Sequence, residues 1–124
     1  MHWNRPVVEN AIRKAIIKFE QDFMGRGPTD VRAFIIRDMV VVRLKGVLTQ
    51  AERQLAKTPD GIEMVKHMRK SLIVQGRDSL IREIASITGV KVAGLFTDID
   101  TQIDERIMVF TLEQDLGVVQ PSSQ

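Results

Sequence analysis

From residue 5 onward, apolar positions recur every three or four residues: Val8, Ala11 with Ile12, Ala15 with Ile16, Phe19 and Phe23. This spacing marks one face of an α-helix, and Glu9, Arg13, Lys14, Lys18, Glu20 and Gln21 fall mostly outside it. Pro6 suits a first helical turn, where its missing amide is not needed. Gly25 suits the left-handed residue that closes a helix, and Pro28 forbids its continuation. The pattern predicts a helix over residues 7 to 24, stopped by Gly25, Arg26, Gly27 and Pro28.

The period then changes. "VRAFIIRD" and "MVVVRLKG" are apolar, β-branched runs with Arg37 and Asp38 between them, the spacing of a tight hairpin. Arg43 and Lys45 share one parity, which gives that end of the sheet a wet face. Thr49, Gln50, Ala51 and Glu52 form a capping-box pattern, opening a short helix to about residue 57. "TPDG" restarts the chain, with Thr58 as N-cap and Pro59 as the first helical residue.

From there Ile62, Val65, Met68, Leu72, Gly76, Leu80, Ile84 and Ile87 keep helical spacing as far as Gly89. A helix from Pro59 to Thr88 is about 45 Å long at ~1.5 Å per residue. The radius of gyration of a domain this small is about 14 Å. Either Gly76 kinks the helix or its overhang packs on a second subunit. The wide apolar surface of Leu72, Ile73, Leu80, Ile81, Ile84 and Ile87 favours the second, a homodimer.

"VKVAGLFTD" and "DERIMVFTLE" predict two further strands joined by the polar "IDTQI" loop. After Glu113 the pattern fades, so residues 114 to 124 are expected to form a flexible tail. The order helix, strand, strand, helix, long helix, strand, strand predicts an α+β fold. Its sheet is mainly antiparallel and four-stranded, with the long helix packed on one face, in a single domain over residues 1 to 113.

Composition narrows the function more than it names it. The 124 residues suit one domain, and 18 Lys+Arg against 16 Asp+Glu leave a formal charge of +2, which permits a nucleic-acid partner without requiring one. With no cysteine, disulfides, thiolate metal sites and thiol catalysis are excluded. The opening "MHWNRPVVEN" has no apolar signal-peptide core, and the apolar runs at 33 to 36 and 39 to 42 are too short to span a bilayer, so a cytoplasmic location is expected. Phe19, Phe23, Phe34, Phe96 and Phe110 all lie in apolar patterns and read as core, not as stacking platforms for bases.

Candidate chemistry is sparse. Asp98, Asp100, Asp104 and Glu105 cluster between the last two strands, and the i, i+2 pair of Asp98 and Asp100 has the spacing of a metal loop. The loop has no turn glycine and no nearby histidine, so it reads as a solvated acidic hairpin with no metal. His2 lies in the unpatterned N-terminus, and His67 has Ser71 at i+4, which makes no ligand pair. Ser71, Ser79 and Ser86 sit on the helix without the strand-to-helix elbow of a nucleophile. The expectation is a protein that is not an enzyme, with no cofactor and no small-molecule substrate.

Lys66, Lys70 and Arg77 share one side of the long helix, with Arg69 and Arg82 near its edges, a stripe that could meet the phosphates of nucleic acid or another polyanion. Glu63, Asp78 and Glu83 dilute it toward an ordinary solvated face. The Gly-Arg-Gly-Pro turn runs helix, glycines, strand, the reverse of a phosphate loop. Arg26 is left as a single anion or carboxylate contact.

Taken together, "GRGPTDVRAFIIRDMVVVRLKGVLTQAERQLA" and "GVKVAGLFTDIDTQIDERIMVFTLE" resemble the MpsC-like family, small bacterial proteins named for the third component of a sodium-translocating, membrane-potential-generating system. The likeness spans about residues 7 to 113. Its marks are Gly25, Arg26, Gly27 and Pro28; Gly46, Val47, Leu48 and Thr49 after the hairpin; Ala51, Glu52 and Arg53 at the helix start; and a strand entry at Lys91 followed by an aspartate-containing loop.

The resemblance implies a non-enzymatic accessory or regulatory protein, peripheral to an integral membrane complex, because a chain without a spanning segment cannot form the ion path. It implies that Gly25 and Gly27 serve backbone geometry while the tight turn presents Arg26 to a neighbouring carboxylate or to a docking partner, and it carries over no catalytic residues. The rival expectation is a nucleic-acid or polyanion module using Lys66, Lys70 and Arg77.

Overall fold

The computed structural model describes residues 4–117. Seven elements follow one another: α1 (Arg5–Met24), β1 (Asp30–Ile36), β2 (Met39–Lys45), α2 (Gln50–Leu55), α3 (Pro59–Thr88), β3 (Val92–Asp100) and β4 (Glu105–Leu112). The α+β class and the element order are as the periodicity predicts. Asn4 caps α1 by accepting from Val7 N, so the helix begins two residues before the expected start.

The sheet order is β1-β2-β4-β3, every neighbour antiparallel. Two hairpins are thus joined through a central β2–β4 ladder, and α1 and α3 pack on one face. That face is the core: Ile12, Ile16 and Phe19 of α1 and Ile73, Leu80 and Ile84 of α3 meet Val40, Val42 and Leu44 of β2 and Met108, Phe110 and Leu112 of β4. Each such side chain contributes about 1.5–3 kcal/mol by leaving water.

Helix α3 runs unbroken through Gly76. The glycine serves packing: a Cβ there would stand 2.5 Å from the Phe19 ring and 2.9 Å from that of Phe23. Those two rings stack 4.6 Å apart against it. The apolar strip of α3 is taken up inside the chain, with Leu80, Ile84 and Ile73 buried and Leu72, Ile81 and Ile87 half-buried.

Besides Met64, Met68 and Val74 on α3, exposed apolar side chains lie on the other face of the sheet. Phe34, Val41, Val109 and Phe96 pair in one row across all four strands. Phe34 and Phe96, read as core from their patterns, are 44% and 63% exposed. The alternation of a strand put them in apolar runs but on the side that neither long helix covers. Toward the other end of the strands the same face carries Arg32, Arg43, Lys45, Glu105 and Asp100.

Residues 114 to 117 differ from the tail expected there. Leu116 is buried, its amide donates to Arg37 O at 3.0 Å, and Asp115 pairs with Arg37 at 2.8 Å. One apolar side chain without a periodic neighbour left no pattern to read. The remainder of the expected tail, residues 118 to 124, and His2 lie outside the described residues.

Candidate functional site

Two features hold most of the charged chemistry: a buried cluster behind α3, and a cleft between α3 and the edge strand β3. The cluster contains Glu20, Glu52, Arg69 and Arg106, all buried. On α3 the buried line runs through Gly61, Val65, Arg69, Ile73, Gly76, Leu80 and Ile84. Val65, Gly76, Leu80 and Ile84 face inward as expected, but between them Arg69 points inward and Met68 is exposed.

Arg69 is tolerated there because Nε and Nη2 are met and Nη1, which has no hydrogen-bond partner, lies near a carboxylate. Nε and Nη2 donate to Glu52 Oε2 and Oε1 at 2.9 and 2.8 Å, Nη2 also donates to Val47 O at 2.8 Å, and Nη1 lies 3.8 Å from Glu20 Oε1. Glu52 is at the same time the capping-box acid of α2: its Oε1 accepts from Thr49 N at 2.8 Å while Thr49 Oγ1 accepts from Glu52 N at 3.1 Å. Burial would raise the Glu52 carboxyl, but the Arg69 and Thr49 hydrogen bonds hold it below its ordinary value. Glu20 is the opposite case. Burial pushes it up, against the pull of Arg106 and Arg69, and neither carboxylate oxygen has a hydrogen-bond partner.

Around this cluster the family-like motif residues converge on one buried segment, Gly46 to Thr49. Asp104 Oδ1 accepts from Val47 N and Leu48 N at 2.9 and 2.8 Å, and Asp104 O accepts from Gly46 N. The Leu48 carbonyl accepts from Arg26 Nη1 at 2.7 Å and from Arg53 Nη1 at 2.8 Å. A buried backbone group left without a partner costs about 1–3 kcal/mol, so each of these charged side chains supplies a bond the segment needs. The guanidinium of Arg26, expected to meet a neighbouring carboxylate or a partner, donates here to a backbone carbonyl of its own chain. Gly25 takes φ 85, which closes α1 and starts the turn.

Asp98 and Asp100 belong to strand β3 and not to the loop, which is confined to residues 101 to 104. Asp98 lies 3.5 Å from Lys66 Nζ, and Asp100 Oδ1 accepts from Gln102 N at 2.9 Å. Among the described residues no group of three His, Asp or Glu side chains stands where it could hold a metal ion. Ser71, Ser79 and Ser86 are exposed on α3.

The three basic residues singled out in the sequence do come together. Lys66, Lys70 and Arg77 line one wall of a cleft of about 700 Å³, with Val74 between them and Leu95 and Thr97 of β3 opposite. His67 lies on the same wall. Arg106 reaches the cleft from β4, the strand inside β3, and its Nη1 donates to Thr97 Oγ1 at 2.7 Å. No motif marks Arg106, which sits in an alternating strand where an arginine reads as an outward residue. The four-residue step from Val65 to Arg69 to Ile73 was the available signal for Arg69.

Residues 4–114 match the family described as "Na+-translocating membrane potential-generating system (MpsC)". Two proteins of Bacillus subtilis (strain 168) are similar to the chain. The uncharacterized protein YbcI is 40% identical over 109 residues, covering 88% of each chain. The uncharacterized protein YrhF is 30% identical over 102 residues, covering 82% of this chain and 84% of its own. No solved structure matches the chain.

Proposed function

The chain belongs to the MpsC family, and from that premise we propose that it is a non-enzymatic accessory or regulatory component of a Na+-translocating, membrane-potential-generating system. It works from the cytoplasmic side, through contact with integral membrane subunits. The observation that carries this reading is the family match over nearly the whole domain. Among the described residues no helix is long and apolar enough to cross a membrane, which suits a component that attaches to an ion path made by others. Contact needs surface, and the open face of the sheet exposes Phe34, Ile36, Phe96 and Ile107.

The test is made in the chain's own host. Tagged protein at native level is captured from soluble and detergent-extracted membrane fractions, and the Na+-dependent potential is measured in everted vesicles with and without the gene. The expected result is enrichment of integral Na+-transport subunits from membranes and a reduced potential that the wild-type gene restores. Recovery of the chain alone, or with nucleic acid, together with an unchanged potential would overturn the reading.

A further inference from the structure

The cleft between α3 and β3 has the makings of a ligand site, and the argument for it stands apart from the family. Its volume of about 700 Å³ lies within the range of about 300–1,000 Å³ usual for small-molecule sites. Four cations line it, Lys66, Lys70, Arg77 and Arg106, against two carboxylates, Glu63 and Asp98. Asp98 is taken by Lys66 at 3.5 Å. Lys70 and Arg77 have no ion pair among the described residues.

Arg106 is the strongest sign. It is 2% exposed, so its charge is held almost out of water, yet among the described residues its Nε has no acceptor and no carboxylate lies within ion-pair distance of it. Its one bond is from Nη1 to Thr97 Oγ1 at 2.7 Å, and that hydroxyl itself donates to Ile107 O at 2.9 Å, which fixes the guanidinium in place. Glu20 attracts the Arg106 charge without hydrogen-bonding it, and Glu52 is occupied by Arg69 and Thr49, so the Nε donor stays unmet. A buried guanidinium with an unmet donor is costly, and an oxyanion in the cleft relieves that cost.

An inorganic ion would leave the apolar part of the cleft unused. Val74, 63% exposed on α3, and the half-buried Leu95, which faces the helices from β3, flank the cations. We propose that this cleft binds a small anionic amphiphile, whose carboxylate or phosphate head sits among Arg106, Lys70 and Arg77 and whose apolar body lies along Val74 and Leu95.

Isothermal titration of the full chain with octyl phosphate and octanoate, below their micellar range, tests this, with inorganic phosphate and octanol as the two half-ligands. Saturable binding of an amphiphile, one molecule per chain, is expected, with each half-ligand weaker by about tenfold or more, the equivalent of ~1.4 kcal/mol. Replacing Lys70→Glu together with Arg77→Glu, both exposed, is expected to weaken binding by about tenfold, and Val74→Ser, also exposed, by several-fold, with unchanged melting curves. Arg106→Met probes the inner end; should that variant not fold, the exposed double variant decides. No saturable binding to the wild type, inorganic phosphate matching octyl phosphate, or indifference to the Lys70→Glu, Arg77→Glu change would each overturn the proposal.

Discussion

Arg69 and Glu52 close on each other through two hydrogen bonds of 2.9 and 2.8 Å, tying the middle of α3 to the first turn of α2. Removing one member of such a buried pair strands the other, which costs about 3–5 kcal/mol. Arg69→Met is expected to lose that much in urea unfolding. Arg69→Lys is expected to rescue little, because an ammonium cannot make the two-pronged contact and reach Val47 O as well.

Glu20 and Glu52 should give stability a pH dependence of opposite sign. The folded chain holds the Glu20 proton more tightly than the unfolded chain, whose ordinary value is 4.5. The stability linked to it is full below that value and is lost as pH rises through the folded one. Glu52, depressed in the folded state, contributes stability above 4.5 that is lost as pH falls through its folded value. Glu20→Gln is therefore expected to remove the decline on the alkaline side while leaving the acid side intact. Urea midpoints for both proteins at intervals from about pH 4 to pH 8 check this; parallel curves would refute it.

Gly76→Ala decides between helix propensity and packing. At an exposed helical site the change gains about 1 kcal/mol. Here the added carbon meets the Phe19 ring at 2.5 Å, and overpacking of this kind costs about 1–3 kcal/mol. The melting temperature is expected to fall, whereas Ser79→Ala, exposed on the same helix, should leave it nearly unchanged.

Asp104→Ala removes the acceptor of two amides and places an alanine at φ 54. The loss is expected to be about 1–3 kcal/mol for the unmet amides, with Asp104→Asn milder because it tolerates the left-handed region and keeps one oxygen. Hydrogen exchange at Val47 and Leu48 should accelerate specifically.

Arg26 and Arg53 share the Leu48 carbonyl, so each is expected to cover for the other. Arg26→Ala alone should cost about 1 kcal/mol, and the double variant should lose more than the two single losses combined. A double-mutant cycle in denaturant measures that coupling.

Much of this fold was legible because its elements announce themselves locally: the spacing of Ile12, Ile16 and Phe19, the capping box at Thr49 and Glu52, the alternation of Val40, Val42 and Leu44. What could not be read depended on three dimensions. Arg69 and Met68 are neighbours on a helix, and only the positions of Glu52 and Glu20 decide which of them turns inward. Phe34 and Phe96 sit in apolar runs that look like core, since a strand's sequence does not say which of its faces the helices will cover. Leu116 carries no periodic signal at all.

The same limit applied to function. Lys66, Lys70 and Arg77 could be grouped by helical spacing, but that they line a cleft required β3 opposite, and Arg106 came from a strand where no motif marked it. The Gly-Arg-Gly-Pro turn invited a docking role because its arginine looked presented. In the fold its guanidinium satisfies a carbonyl 22 residues further along the chain.

The order β1-β2-β4-β3 also fixes how the chain has to assemble. Each hairpin joins neighbours in sequence and can zip at once, but the β2–β4 seam unites Val40 with Phe110 and Leu44 with Arg106, partners separated by the whole of α2, α3 and β3. The entropy of closing that loop falls on a single event, which makes the seam the slow step of folding. Weakening the seam should then slow refolding, while weakening either hairpin's outer edge should chiefly hasten unfolding.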